Sequence, residues 1–197
     1  MAIETGGRRR EIDAVAGELF HANGYAATSV RDIARALDMQ GASLYAHVTS
    51  KEDLLWSIVD RAASAFEAAA DAALAETAAG DAVDRLAAFV EAHVEVVTDD
   101  PERASVFVTE WRHLSPARRE AIAGRRDAYE GRLRELIVDG ISLGAFRATD
   151  PALAATFLLT ALNGIAAWYR PDGRLTANRI ADHYVDLALR SLSEDHR

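Results

Sequence analysis

Residues 28–55 read TSVRDIARALDMQGASLYAHVTSKEDLL, the stretch with the most specific pattern in the chain. Its first part places apolar side chains on one face of a short helix over residues 29–37, with Ser29 at the capping position. A turn of three residues, 38–40, separates it from a second short helix predicted over residues 41–47. Thr49 and Ser50 then signal the start of a longer helix. The stretch therefore predicts two short helices joined by a tight turn, followed by a long one.

This spacing is that of a helix-turn-helix, in which the second helix enters the major groove of DNA. Tyr45 and His47 on the second helix can both donate hydrogen bonds to phosphate oxygens. Lys51, the only lysine in the chain, lies at the N-terminus of the next helix, where free N–H groups and the helix dipole also favour an anion. The alternative is an ordinary helical hairpin with small exposed residues. The second helix starts with three residues of little bulk, which allow close approach to base edges: Gly41, Ala42 and Ser43.

The rest of the chain also has the apolar period of helices, and no alternating apolar run is longer than four residues. We therefore predict an all-α protein of about nine helices. A three-helix head with the helix-turn-helix is expected over residues 1–48, and a larger helical body over residues 49–197. The predicted breaks between the later helices lie at glycine and proline positions: Gly80, Pro101, Pro116, Gly140 to Gly144, Pro151 and Pro171.

Charge is distributed unevenly between these two parts. The chain has a formal net charge of −9, yet residues 1–51 hold six basic and six acidic side chains. All of the excess negative charge therefore lies in residues 52–197. An acidic body repels nucleic acid, so the neutral head, with three arginines near its start, is the part suited to approach DNA.

The sequence argues against several classes of function. The chain has no cysteine, which excludes disulfides and cysteine-type metal sites. Its six histidines lack metal-ligand spacing, and no phosphate-binding loop, dinucleotide fingerprint or nucleophile elbow occurs. We therefore expect no metal, no cofactor and no enzymatic activity. Residues 1–11 contain no apolar segment of a secretory signal, so the cytoplasm is the expected location.

Residues 151–169, PALAATFLLTALNGIAAWY, contain nineteen positions without a charge. Length alone would admit a membrane span, but polar residues and glycine interrupt the run, and no other segment is comparable. We expect no membrane association. A helix that is apolar on every side is better explained by packing both on its own domain and on a second copy of the chain.

Large residues on the interior stripes of the body are candidates to line a small-molecule pocket. Phe107 and Trp111 are four positions apart and are expected to share a helix face. For each candidate the alternative is plain core packing, because aromatic residues at helical spacing usually only pack. The candidates are Phe66, Phe89, His93, Phe107, Trp111, Tyr129, Phe157 and Trp168.

Residues 8–55 resemble the DNA-binding head of the tetracycline-repressor (TetR) family of transcriptional regulators. The family pattern is F-x-x-x-G-Y/F, then T-S/T-V/I-R-D-I-A, then G-S-L-Y-x-H/Y-F-x-S-K-E-x-L. This chain matches it over residues 20–25, 28–34 and 43–54. The match covers about a quarter of the chain, and the nine-helix layout resembles the family over its whole length.

The resemblance implies specific roles for residues of the head. Thr28 and Arg31 would contact DNA at the start of the second helix. The residues that would grip phosphates are Tyr45, His47 and Lys51. Those that would face the bases or lie against the backbone are Gln40, Gly41, Ala42 and Ser43. The chain departs from the family at Asp38 and Ala42, where glycine is frequent, and at Gln40, where serine or threonine is frequent.

The resemblance also implies a ligand-responsive repressor that binds a palindromic DNA operator as a homodimer, formed by its last two helices. Residues 49–197 would then be the ligand-binding and dimerisation domain, and a small effector would release the operator. Residues 168–176, WYRPDGRLT, are similar to a branch of the family that responds to acyl-CoA thioesters of catabolic pathways. The alternatives are an apolar drug-like or aromatic effector, as in efflux control, and, more remotely, a helical enzyme or lipid-binding protein. Arginines that could bind the CoA phosphates are Arg112, Arg118, Arg119, Arg125, Arg126, Arg132 and Arg134.

Overall fold

The computed structural model describes the backbone of residues 2–193 and the side chains of residues 7–193. This part of the chain is all-α, as predicted, with nine α-helices and no strand. Two short 3₁₀ helices, Trp111–His113 and Ile165–Ala167, follow the sixth and eighth α-helices. The α-helices are α1 Ala2–Asn23, α2 Val30–Ala36, α3 Gly41–Leu44, α4 Lys51–Glu76, α5 Ala82–Asp99, α6 Pro101–Thr109, α7 Pro116–Ser142, α8 Pro151–Gly164 and α9 Ala177–Leu192.

Local capping chemistry sets several helix ends where the sequence predicts them. Ser29 and Asp32 form a reciprocal capping box at the start of α2, and Asp81 caps α5 by accepting two backbone N–H groups. Asp150 does the same for α8. Gly24 follows the last residue of α1 with φ of +82°, a left-handed conformation that glycine adopts without steric penalty.

Two helices are shorter than predicted. The recognition helix α3 spans only Gly41–Leu44, and the chain continues to His47 as turns whose N–H groups bond to carbonyls three or four residues earlier. The uncharged segment at 151–169 divides into α8 and a 3₁₀ helix, because the chain tightens after Gly164. Within the described residues, no helix combines the length and apolar character that a membrane crossing requires.

The chain forms two compact units that do not coincide with the predicted boundary after residue 48. The first, here called the head unit, contains residues up to 63 together with residues 102–123. The second, here called the body unit, contains residues 64–101 and the chain from 124 onward. The helices α4 and α7 each contribute residues to both units. The sequence did not reveal that α6 and the start of α7 belong with the head.

Each unit has its own buried core. In the head unit the fully buried side chains come from α1 to α4, α6 and the start of α7, and they include Ile12, Phe20, Ile33, Leu44 and Ile122. In the body unit α5 is the central helix, packing against α9, α8 and the 3₁₀ helix Ile165–Ala167. The fully buried side chains of the body unit include Leu86, Phe89, Leu133, Ile137 and Leu162.

Replacing Gly140 by alanine should destabilise the body unit. A Cβ atom at Gly140 would lie 2.0 Å from the buried Phe146 ring, and such overpacking costs about 1–3 kcal/mol. Gly124 lies on the same helix, and a Cβ atom there would meet nothing beyond its own helix backbone within 4 Å. Gly124→Ala should therefore raise the free energy of unfolding by up to about 1 kcal/mol. Urea denaturation followed by circular dichroism measures both effects. Equal effects of the two substitutions would contradict this packing.

Candidate nucleic-acid interface

The recognition helix α3 presents small and polar side chains to solvent. Gln40, Ala42 and Ser43 are exposed, and Gly41 is half-buried. Leu44 is fully buried and anchors the helix on the head core. Tyr45 follows with 57% of its side chain exposed, which leaves its hydroxyl available to a phosphate. The residues predicted to face DNA therefore lie together on one accessible segment.

The turn between α2 and α3 depends on Asp38. Its φ is +51°, so it adopts the left-handed conformation that glycine accepts most readily. Asp38 and Met39 donate their N–H groups to the carbonyls of Arg35 and Ala34, which closes the turn. This geometry explains why glycine suits the position, and aspartate is among the few other residues that tolerate it.

Arg31 is the exposed cation of this surface. It lies in the first turn of α2, and no salt bridge joins it to any residue that the structure describes. Ser29 donates to Asp32 and holds the pKa of that carboxyl below its ordinary value, so the start of α2 is fixed without using Arg31. Arg31 therefore keeps its full hydrogen-bonding capacity for a phosphate or a base.

The side chain of Thr28 is engaged within the protein, and its predicted contact with DNA stays a prediction. The residue is buried, and its hydroxyl donates to the carbonyls of Gly24, at 2.9 Å, and Leu19, at 3.2 Å. A buried hydroxyl needs such partners, and here they hold the end of α1 against the start of α2. Thr28 therefore helps to position the start of α2.

Lys51 has a similar positioning role. Its ammonium group donates to the carbonyls of Tyr25 and Thr28, both at 2.8 Å, and lies 4.1 Å from the centre of the Tyr25 ring. Lysine has three donors, so one remains for a phosphate. The phosphate contact of Lys51 stays a prediction, while its bonds to the loop before α2 are observed.

The arginine triplet at residues 8–10 belongs to helix α1. Arg9 bonds to Asp13 at 2.9 Å and to Asp53 at 3.2 Å, and it also donates to the carbonyl of His47. His47 is half-buried, and this contact fixes the chain just after α3. Arg9 therefore joins α1, the recognition segment and α4, and is not a free DNA-binding arm.

A second set of contacts, which we call the brace, connects the segment after α6 to the loop after α1 and to the start of α4. These contacts were not predicted from the sequence. Glu110 accepts the backbone N–H of Tyr25 at 3.2 Å, and His113 stacks on the Tyr25 ring at 5.3 Å. Ser115 donates its N–H to Glu52 at 3.1 Å, which lowers the pKa of that carboxyl. The brace pairs residues about 60 to 90 positions apart, a separation that no local pattern in a single sequence indicates.

Four of the eight predicted pocket residues form one cluster in the body unit, here called the aromatic cluster: Phe66, Phe89, His93 and Tyr129. Phe66 packs on His93 with ring centres 4.7 Å apart, and Phe89 packs on Tyr129 at 5.1 Å. All four residues are buried. These four positions lie together, while their binding of a ligand stays a prediction.

The other four predicted pocket residues lie elsewhere. Phe107 and Trp111 belong to the head unit, and they do not share one helix face because α6 ends at Thr109. Phe157 and Trp168 are 61% and 45% exposed, so they do not line an interior pocket of the single chain. Both residues lie in a segment with helical periodicity, but the side of α8 that faces the core carries Leu158 and Leu162 instead.

Comparison with known proteins agrees with this arrangement. A family model described as "Bacterial regulatory proteins, tetR family" matches residues 12–58, and one described as "Tetracyclin repressor-like, C-terminal domain" matches residues 79–192. The helix-turn-helix head and the helical body thus define a DNA-binding transcriptional regulator. The chain belongs to the TetR family and is a transcriptional repressor rather than an enzyme.

Individual relatives resemble the chain over nearly its whole length. The transcriptional repressor KstR2 of Rhodococcus jostii (strain RHA1) is 32% identical over 201 residues, covering 96% of this chain and 93% of KstR2. The structure of the ketosteroid transcriptional regulator KstR2 of Mycobacterium tuberculosis has a TM-score of 0.89 at 26% identity, covering 95% and 96% of the two chains. AibR, solved with isovaleryl coenzyme A and operator DNA, has a TM-score of 0.80 at 31% identity, covering 91% and 97%.

Arg31→Gln should weaken DNA binding by removing one phosphate-binding cation. The slope of log K against log salt should fall by about 0.9 for each phosphate that the protein no longer neutralises. Arg134→Gln, which removes an exposed arginine from α7 in the body unit, is the matched control and should leave the slope unchanged. Fluorescence anisotropy with labelled operator at several salt concentrations gives both slopes. An unchanged slope for Arg31→Gln would remove Arg31 from the interface.

Proposed function

We propose that this repressor binds a palindromic operator as a homodimer and releases it when a small effector, an acyl-CoA thioester, binds the body unit. The observation that carries this proposal is the pairing of an accessible recognition segment on the head with a buried aromatic cluster in the body. One surface suits DNA, and the other suits the apolar part of a ligand.

Exposed apolar side chains on the last two helices support the homodimer. Leu153 and Phe157 on α8 are 70% and 61% exposed, and Leu187 on α9 is 61% exposed. Trp168, at the end of the α8 segment, lies within hydrogen-bonding reach of the Tyr184 hydroxyl on α9. Large apolar side chains grouped in this way favour burial against another protein surface, and a second copy of the chain supplies a matching one.

A two-fold dimer also accounts for a palindromic operator. Each chain carries one helix-turn-helix with a recognition helix of only four residues, which can contact only a few base pairs. Two such heads related by two-fold symmetry read two half-sites, about 34 Å apart on one side of the duplex. The dimer thus increases both the affinity and the length of the sequence that is read.

The acyl-CoA assignment rests on chemical fit and on a relative. AibR was solved with isovaleryl coenzyme A, and this chain is 31% identical to it. The aromatic cluster suits an acyl chain, and cations are needed for the CoA phosphates. Arg118, Arg125 and Arg132 form salt bridges with carboxylates at 2.7–3.4 Å, so they are less available to bind the CoA phosphates. The exposed candidates within the body unit are Arg134, Arg170 and Arg174.

An apolar drug-like or aromatic effector is the second candidate. The cluster of Phe66, Phe89 and Tyr129 is apolar enough to bind such a molecule without any phosphate site. The relation to a ketosteroid regulator also favours including steroid-derived ligands. The two classes differ in their requirement for the coenzyme, so they can be distinguished directly.

The fourth helix is the proposed link between effector and DNA. It begins with Lys51, which holds the loop before α2, and the same helix carries Phe66 of the aromatic cluster. An effector that binds better to a conformer with α4 displaced would shift the population away from the DNA-binding form. No effect on DNA binding is expected from a ligand with equal affinity for both forms.

Phe157→Arg should convert the homodimer to a monomer. The substitution places a charge on the exposed face of α8, where dimerisation would bury it without a partner. Leu143→Arg is the matched control, because Leu143 is 74% exposed but lies outside α8 and α9. Sedimentation equilibrium should show a mass near twice 21.3 kDa for the unmodified chain and the control, and near 21.3 kDa for Phe157→Arg. A dimeric Phe157→Arg would place the interface elsewhere.

The effector proposal is tested by operator release. DNA from around the repressor's own gene is bound in a gel shift and titrated with acyl-CoA esters, free coenzyme A, the free acids and apolar drugs. Release by a subset of acyl-CoA esters, with no release by free coenzyme A, is the expected result. Failure of a broad panel that includes short, long, aromatic and steroid-derived esters would refute the acyl-CoA assignment. Release by a drug instead would support the second candidate.

A further inference from the structure

His93 is a buried polar side chain whose hydrogen bonding is incomplete. It lies on α5 with only 2% of its surface exposed. Its Nδ1 atom is 3.1 Å from the Tyr129 hydroxyl. Its Nε2 atom is buried and has no hydrogen-bond partner among the residues that the structure describes. Buried polar atoms are nearly always paired, so this nitrogen indicates a missing partner.

The Tyr129 hydroxyl determines whether the unpaired Nε2 atom of His93 carries a hydrogen. Burial raises the pKa of Tyr129, so its O–H stays protonated and needs an acceptor. His93 Nδ1 is the hydrogen-bond partner that the structure shows for this hydroxyl. If Tyr129 donates to Nδ1, the imidazole hydrogen resides on Nε2; the opposite tautomer leaves both the tyrosine O–H and Nε2 unpaired. The arrangement with fewer unpaired groups makes Nε2–H a donor without an acceptor.

The surroundings of His93 select a neutral acceptor. Burial lowers the pKa of His93 to about 3, so the ring carries no charge at neutral pH. Phe66 and Phe89 cover the His93–Tyr129 pair. The charged group that acts on Tyr129 is Arg132, which is engaged by Asp71 at 2.8 Å and by the carbonyl of Glu67 at 3.3 Å. A carboxylate here would be desolvated without a cation, whereas a ketone or thioester oxygen would need only the Nε2–H donor.

We propose that His93 Nε2–H donates to a neutral carbonyl oxygen of the effector, with Tyr129 as the residue that positions it. The inference rests on the proposed function only in that the body unit binds an effector. It adds the chemical class that the aromatic cluster accepts: a molecule with a ketone, ester or thioester carbonyl beside an apolar group, and not a free carboxylic acid. Because all four side chains of the aromatic cluster are buried in this structure, ligand binding requires them to move apart.

Two pairs of probes test this inference on the full-length protein. In the first pair, 2-nonanone carries a ketone and nonanoate carries a carboxylate, and neither contains coenzyme A. The second pair, octanoyl-CoA and S-octyl-CoA, differs only in the presence of the carbonyl oxygen. Dissociation constants are measured by isothermal titration calorimetry at pH 7.5. The carbonyl member of each pair is expected to bind at least tenfold more tightly.

Three variants separate hydrogen bonding from packing. His93→Leu removes the donor and should abolish the tenfold preference, whereas Tyr129→Phe removes the hydroxyl that favours the Nε2–H tautomer and should reduce the preference. His93→Gln retains an N–H donor and should keep part of the preference. Thermal unfolding checks that each variant is folded. Where His93→Leu does not fold, Tyr129→Phe carries the test, because it keeps the ring that packs against Phe89.

The outcomes distinguish this inference from the effector proposal. A His93-dependent preference for 2-nonanone, with no binding of either coenzyme A compound, supports the inference and refutes the acyl-CoA assignment. Equal binding within both pairs, absence of binding by all four probes, or a preference that survives both His93→Leu and Tyr129→Phe overturns the inference. The last result would show that His93 is not the group that recognises the carbonyl.

Discussion

The bonds of the Lys51 ammonium group to two backbone carbonyls are the interaction on which the DNA-binding head depends. Lys51, at the start of α4, donates to the carbonyls of Tyr25 and Thr28, which lie in the loop between α1 and α2. Hydrogen bonds from a charged donor contribute about 1.5–3 kcal/mol each, with the lower values expected for this half-buried ammonium. The Tyr25 ring in turn packs on Phe20 and His113. One cation therefore joins α1, the start of α2, α4 and the brace.

This arrangement separates the groups that position the interface from the groups available to DNA. Thr28, Arg9 and Asp13 are engaged within the protein, and they hold three helices together. Arg31, Ser43 and Tyr45 remain exposed on the surface that faces the solvent. Because the engaged polar groups are paired, the exposed ones are presented on a rigid support, which limits the entropy lost on binding. The excess acidic charge lies beyond residue 51, away from the recognition segment in the sequence.

The body unit shows a different use of polar groups in an apolar setting. Its aromatic cluster is well packed, yet His93 retains one buried nitrogen without a partner in the described structure. A protein that only needed a stable core would be more stable with an apolar side chain of similar volume at this position. A ligand that accepts a hydrogen bond from this nitrogen would offset the free-energy cost of burying it. The same cluster includes Phe66 of α4, the helix whose first residue is Lys51.

The sequence by itself determined the helices, because their signals are local. Ser29, Asp81 and Asp150 cap helices through N–H groups two or three residues away, and the apolar period identifies which face is buried. The family motif likewise lies within one short stretch, and it identified the TetR family. Only the tertiary structure decided which polar side chains are engaged internally, that residues 102–123 join the head, and that Phe157 lies outside the core. These outcomes depend on partners far apart in the chain, and helical periodicity describes a face without identifying what packs against it.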